Sequence, residues 1–380
     1  MAKKAVRPKN NKHHMDYVLL TVVLFLVGFG LLMIYSVSSY EAGVMLGDSA
    51  YYLKQQGRST ILGIVALIFV SNFSYRKYQE FDAAAIIGSA LLIGLVVSPL
   101  GITRNGATRW INLGIITFQP AEAAKLGVII YLASMIQRLE EKSPKYLCTP
   151  KGLAIVMGPP MVIAGMIYLI TDNLSSAIII AGIAIVMIFV AVPNYKIFFA
   201  IGGIAIAGVA AFVTYTVNAG EGGGFRSDRI RAWLDPEAYS TDRAFQTLQA
   251  LYAIGSGGIW GKGLGQSMQK RGFLPEAQND MIFSIICEEL GLFGASTVML
   301  LFVILIWCCM VIANKTTNRF GSLLVVGVMA HYAIQVILNI AVVTNTIPNT
   351  GITLPFISYG GTSTLFLLSE IGIVLNVSKE

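Results

Sequence analysis

Long apolar runs separated by short polar connectors dominate the chain. They fall at about 17–35, 59–73, 83–100, 120–137, 152–170, 175–192, 197–217, 282–312, 321–343 and 359–377. Most approach the roughly 20 residues a helix needs to cross a hydrocarbon core, so about ten spans are expected. The predicted fold class is all-α: a polytopic membrane helix bundle with a large folded extracytoplasmic loop. The domain reading is a basic tail over 1–16 and a single transmembrane domain over 17–380.

Two connectors are longer than a simple turn: TRNGATRWINLGIITFQP at 103–120 and the stretch from about 218 to 281. Loops of this length are functional or disordered. Trp110, Ile111, Leu113, Phe118, Trp233, Leu251, Tyr252, Trp260 and Phe273 make these two too apolar for a disordered tether. The longer one is expected to fold as a cap containing a short amphipathic helix around Arg243 to Ile254, with Gln246 and Gln249 on one face. The Gly-rich turn GSGGIWGKGLG follows it.

Composition narrows the class. Apolar residues make up 55% of the 380 and charged residues 12%, against about 25% charged in soluble domains. A water-soluble globule and a disordered chain are both excluded, and four Cys cannot staple a chain of this size. A net charge of +7 raises nucleic acid as a partner until the positions of the cations are read. Lys3, Lys4, Arg7, Lys9 and Lys12 lie in the tail, and Arg76, Lys77, Arg138, Lys142, Lys145, Lys151, Lys196, Lys315 and Arg319 lie in alternate connectors. That asymmetry places both termini in the cytoplasm and both long loops outside, and no nucleic-acid partner is expected.

Histidine arithmetic removes several chemistries. Only His13, His14 and His331 exist, two of them in the tail, so an external Ser/His/Asp triad is unavailable. Cys148, Cys287, Cys308 and Cys309 lack zinc-ligand spacing. GSGGIWGKGLG misses the phosphate-loop pattern, because Ser256 stands where Gly is required and Gly263 follows Lys262. Charges inside apolar runs carry more information, since each costs about 2.5–3.5 kcal/mol at mid-membrane. Glu122 and Lys125 share a helix face at i, i+3, which fits either a functional pair or a structural one that locks helices. Glu288, Glu289, Glu370, His331, Gln335 and Asn339 read as polar glue facing the bundle. Asp280 closes PEAQND at the mouth of the eighth span. There it is either a first-turn helix acid or a half-desolvated carboxylate suited to general-base work. Arg104, Arg109, Lys270 and Arg271 supply cations on the same face for an anionic lipid head group.

Three segments taken together resemble the SEDS family of bacterial cell-wall proteins (shape, elongation, division and sporulation), and the likeness runs from the first span to the last. They are NGATRWINLGIITFQPAEAAKL at 105–126, AIGSGGIWGKGLGQSMQKRGFLPEAQNDMIFSIICEELG at 253–291 and IPNTGITLPFISYGGTS at 347–363. GLGQSMQK and the ending GIVLNVSKE resemble the division branch or its sporulation relative more than the elongation branch. Three positions depart from the family's pattern: Gln278 and Asn279 precede the aspartate in place of Thr or His-Thr, TDNLSSA replaces an acidic Gln-Pro-Asp-Leu-Gly run, and Ala121 replaces Ser.

The resemblance implies a peptidoglycan glycosyltransferase of the cytoplasmic membrane, at the division septum, that polymerises lipid II and releases undecaprenyl pyrophosphate. It implies Asp280 as the catalytic base, with Glu122 and Lys125 shaping the cavity and Arg109 and Trp110 in the preceding loop. Lys270 and Arg271 join Arg109 as expected pyrophosphate-binding cations. No metal ligand or cofactor is required, although a divalent cation is compatible with the chemistry. The partners implied are lipid II, a class B penicillin-binding protein acting as transpeptidase, other divisome proteins and membrane lipid. The competing readings are a lipid II flippase, an elongation or sporulation polymerase of the same family, and a scaffold without catalysis.

Overall fold

In the computed structural model Asp16 caps the first helix, its carboxylate accepting from the Leu19 N–H at 3.0 Å. The described residues are 15–104, 106–112, 114, 117–143, 146–192, 225–239 and 244–380, with scattered positions from 198 to 215. The tail at 1–14, most of the expected span at 197–217 and parts of the long loop lie outside the described residues.

The helices are α1 (Tyr17–Leu46), α2 (Tyr51–Asn72), α3 (Asp82–Leu95), α4 (Pro120–Lys142), α5 (Pro150–Thr171), α6 (Leu174–Ala191), α7 (Phe225–Leu234), α8 (Phe245–Gly257), α9 (Ile282–Lys315), α10 (Arg319–Val343) and α11 (Gly361–Val377). Among the described residues, six helices are long and apolar enough to cross a membrane. A seventh is counted if α2 and the segment Tyr75–Leu95, bent by 93°, form one span. The molecule is therefore a multi-pass membrane protein. Helix α4 carries Glu122 and Lys125 and is buried on nearly every side between Pro120 and Ile136. Its polarity is tolerated because protein rather than lipid surrounds it.

Two helix boundaries differ most from the sequence reading. Helix α1 continues past 35 to Leu46. Helix α2 begins at Tyr51, before the expected 59, and takes in the polar run around Gln56. That run is helical because Gln56 is satisfied inside the bundle: its Nε2 donates to Thr364 Oγ1 at 2.7 Å and its Oε1 accepts from the Gly360 N–H at 3.2 Å. The all-α expectation also needs correction. Residues 101–118 form a three-stranded antiparallel sheet of β1 (Gly101–Arg104), β2 (Ala107–Asn112) and β3 (Thr117–Phe118), in the order β1-β2-β3. Ile102 pairs with Trp110 and Ile111 with Phe118. The expected amphipathic helix at 243–254 is α8, shifted by a few residues.

Helix α9 is two helices joined at Gly291, whose φ of 68° and ψ of −167° break the ladder. The Gly-rich turn after α8 takes up the freed groups. Lys262 and Gly263 donate backbone N–H bonds to Glu288 O and Glu289 O at 2.9 Å, while Leu292 and Phe293 donate back to Gly258 O and Ile259 O at 2.9 and 3.1 Å. Gly261 fits here only without a side chain, since a Cβ would lie 2.2 Å from Glu289 O at a φ of +78°. Gly261→Ala is expected to destabilise the fold by about 3 kcal/mol, read as a lower unfolding temperature in detergent.

At the end of the bundle that holds 75–81 and 138–142, ion pairs join distant segments. Arg319 makes two bonds to Glu140 at 2.7 and 2.8 Å, Arg138 pairs with buried Asp82 at 3.0 Å, and Arg76 pairs with Glu380.

Candidate active site

The opposite end of the bundle gathers the sheet, α8, the turns at 258–281 and the loop at 345–360. Asp280 stands in the last of these turns, two residues before α9. Met281 is the cap position of that helix and no side chain closes it, so Asp280 is not serving as an N-cap. Its carbonyl accepts from Asn339 Nδ2 on α10 at 2.8 Å. Its Oδ1 stands 3.4 Å from Gln246 Nε2 on α8. Gly351 faces Oδ2, since a Cβ there would lie 3.8 Å from that oxygen, in ordinary contact. The residue is 8% exposed. Burial pushes its carboxyl up from 3.8 to about 7, and the negative charge of Glu276 adds to the rise. A carboxylate with a proton affinity near neutrality is matched to accepting and releasing protons.

The segment is held from above. Tyr359 N–H donates to Gln278 O at 2.9 Å, Asn349 Nδ2 donates to Gln246 Oε1 at 2.9 Å, and Gln246 Nε2 also reaches Pro275 O at 3.2 Å. Around it, Gln278 Oε1, Asn279 Oδ1, Asn339 Oδ1 and Thr350 Oγ1 are buried without a hydrogen-bond partner. Gln278, Asn279 and Thr350 thus leave unmet acceptors near Asp280 in the chain or in the facing loop, which suits a ligand rich in hydroxyl and amide donors, while Asn339 is fully buried.

The expected cations separate into three cases. Arg109 on β2 is half-buried, its Nε and Nη2 donating to Thr171 O at 3.2 Å and Asp172 O at 2.6 Å. Those bonds cover the left-handed C-terminus of α5 and pin the sheet to it; the remaining N–H groups of the fork have no partner among the described residues. Arg271 is exposed. Lys270, expected among the pyrophosphate-binding cations, is instead 7% exposed, paired with Glu289 at 2.7 Å and bonded to Ser36 Oγ at 3.2 Å. Its charge is consumed in anchoring the 262–270 turn to α1 and α9. Lys262 and Ser267 engage Glu288 in the same way. Trp110 is half-buried on β2.

Glu122 and Lys125 form an ion pair of 2.8 Å buried in the bundle. Glu122 accepts from Ser363 Oγ at 3.1 Å, and Lys125 reaches Gln335 Oε1 at 3.4 Å. Gln335 Oε1 also meets His331 Nε2 at 2.9 Å, and His331 Nδ1 meets Glu370 at 2.9 Å. Three of the six expected polar-glue residues, Glu370, His331 and Gln335, thus join the pair in one continuous chain across α4, α10 and α11, whereas Glu288 and Glu289 hold the 262–270 turn. Among the described residues no group of three or more His, Cys, Asp and Glu side chains is arranged to hold a metal ion.

Residues that sequence reasoning left out of the site are Ser363, Asn349 and Gly351. All three lie within IPNTGITLPFISYGGTS at 347–363, one of the segments that carry the resemblance, but nothing in that segment assigns them a role.

The family profile described as a cell cycle protein, that of FtsW, RodA and SpoVE, matches residues 17–380. Stage V sporulation protein E of Bacillus subtilis is 38% identical over 365 residues, covering 96% of this chain and 97% of that protein. The probable peptidoglycan glycosyltransferase FtsW of Geobacter metallireducens is 37% identical over 371 residues, covering 96% and 95%. Among solved structures, the rod shape determining protein RodA of Thermus thermophilus superposes with a TM-score of 0.69 at 24% identity, covering 96% of each chain. A chain of a peptidoglycan synthase complex that coordinates polymerization and crosslinking gives 0.73 at 23% identity, covering 96% and 97%.

Proposed function

Because the chain belongs to the family of cell cycle proteins that contains FtsW, RodA and SpoVE, we propose that it is a peptidoglycan glycosyltransferase that polymerises lipid II. The observation that carries the reading is Asp280, buried with a proton affinity near neutrality among unmet polar oxygens. Ionised Asp280 takes the proton from the GlcNAc 4-hydroxyl of the acceptor. That oxygen bonds to C1 of the donor MurNAc on the face opposite the leaving group, and the C1–O bond to undecaprenyl pyrophosphate breaks with inversion. Negative charge develops on the departing diphosphate. The remaining N–H groups of Arg109 and the exposed guanidinium of Arg271 are the cations proposed to receive it. The sugar donor arrives activated, so the step requires no cofactor; a divalent cation on the diphosphate is compatible with it.

The accompanying topology has about ten spans, both termini in the cytoplasm and Asp280 at the outer face. The partner is a class B penicillin-binding protein, which crosslinks what this chain polymerises, and the setting is the division septum. A sporulation role is the second reading, favoured by the 38% identity to the sporulation protein of Bacillus subtilis. Deleting the gene separates them: a block in vegetative septation supports division, whereas normal growth with defective spore wall supports sporulation.

A groove of about 530 Å³ between α3 and α5, lined only by apolar residues including Ile87, Leu91, Pro159 and Met166, is proposed to hold polyprenyl chain. Met166→Trp should raise KM about tenfold for long-chain lipid II, as expected from two lost methylene contacts at roughly 0.8 kcal/mol each, and little for a short-chain analogue.

The direct test supplies purified chain, with its transpeptidase partner, with lipid II and resolves the products on a gel. Glycan strands are expected. Lipid II that crosses vesicle membranes without being joined would favour the flippase reading instead. The pH dependence is a second check. The base must be ionised, so kcat/KM should rise with pH at unit slope and level off above an apparent pKa near 7. A profile flat from pH 5 to 9 would remove Asp280 from the role.

A further inference from the structure

Helix α10 carries three polar side chains on one face inside the bundle, His331, Gln335 and Asn339, each four residues after the last. The first binds Glu370, but the other two reach out of the helix to the main chain of the site. Asn339 Nδ2 donates to Asp280 O at 2.8 Å and to Ile352 O at 2.6 Å. Gln335 Nε2 donates to the adjacent carbonyl, Thr353 O, at 3.0 Å. Two amides one helical turn apart therefore grip two consecutive peptides of the 345–360 loop, and one of them also holds the peptide of Asp280. Gly351, the residue before the gripped pair, is the one that faces the Asp280 carboxylate. On its other side Gln335 is bound through Oε1 to Lys125 at 3.4 Å. Asn339 is fully buried and Gln335 is 2% exposed, so neither is placed to touch a sugar.

We propose that Gln335 and Asn339 are positioning residues, which set the distance between Asp280 and the 351–353 strip and link the Glu122–Lys125 pair to that strip. The geometry gives the ion pair a route to the chemistry without contact with the reacting atoms. Lys125 orients the Gln335 amide, Gln335 fixes Thr353, and Asn339 fixes Ile352 and Asp280 together. The inference rests on the glycosyltransferase reading of Asp280.

The test uses two near-isosteric variants that remove donors and keep shape. Asn339→Asp loses the amine that binds both carbonyls. Gln335→Glu loses the bond to Thr353 but keeps an acceptor for Lys125 and His331. Each is assayed in the full-length chain with its partner and lipid II, for kcat, KM, pH profile and unfolding temperature. A displacement of about 1 Å at a reacting group costs roughly 100-fold in rate. The expected result is therefore a kcat loss of roughly 10- to 100-fold in each variant, with KM changed less than about threefold and the acid limb of the pH profile displaced. In an Asp280→Asn background neither variant should lower the residual rate further. Unchanged kcat in both variants, or a loss that follows only the fraction of folded protein, would overturn the inference and leave the glycosyltransferase reading standing. A wild-type chain that binds lipid II but never joins it would overturn both.

Discussion

Asp280→Asn is expected to reduce glycan polymerisation by at least about 1,000-fold, at the upper part of the 10²–10⁴ range for a general base, while lipid II binding is retained. Asn has the shape of Asp and keeps the main-chain bond from Asn339, because that bond uses the carbonyl and not the side chain. What disappears is basicity: a neutral amide cannot take the acceptor's proton. Stability should move the opposite way. The folded carboxyl titrates near 7 against 3.8 for the free group, so the folded chain binds this proton more tightly than the unfolded one. Its contribution to stability is full below about pH 4 and is lost as pH rises through 7. Above that pH the wild type holds a buried charge at a cost on the order of a few kcal/mol, which the Asn variant avoids. Asp280→Asn should therefore unfold at a higher temperature than wild type at pH 8, with the difference shrinking toward pH 4. An inactive variant that is also less stable at pH 8 would mean that Asp280 is a packing residue.

The second large effect is expected at the buried ion pair. Lys125→Met removes the only described cation bound to Glu122 and leaves a carboxylate inside the bundle. Losing one partner of a buried pair costs about 3–5 kcal/mol, enough to unfold a marginal protein. Adding Glu122→Gln should recover most of that loss, because the amide still accepts from Ser363 and carries no charge. Thermal unfolding of the single and double variants in detergent measures the recovery. If the double variant is as unstable as the single, the pair is not coupled in the way its 2.8 Å contact implies. If it is stable yet slow, the charge of Lys125 matters beyond packing.

Much of the site was legible because charge in an apolar chain is conspicuous. Asp280, Glu122 and Lys125 stand out against the runs that surround them, and a family wording sits around each. The partners were not legible. Ser36 and Glu289 are 253 residues apart, as are Gln56 and Thr364 by 308, and no local pattern announces that they meet. For that reason Lys270 read as a free cation and the start of α2 as a loop. The sheet at 101–118 was missed for a different reason. Its strands are only two to six residues long, and the 103–120 stretch holding most of them was read by length and apolarity rather than by alternation. Helix boundaries written in polar residues depend on tertiary partners, whereas the apolar interiors of α5, α6 and α10 follow from composition alone.

The cover over Asp280 bears on fidelity. The carboxylate lies under the Gln246 and Asn349 amides and is almost shut off from bulk solvent. Water at 55 M is a rival nucleophile for any activated glycosyl donor. A base open to it would hydrolyse the precursor and terminate the strand. On the proposed glycosyltransferase reading, exclusion by the two amides means that only an acceptor able to displace them meets an ionised Asp280, so little of the activated donor is lost to water.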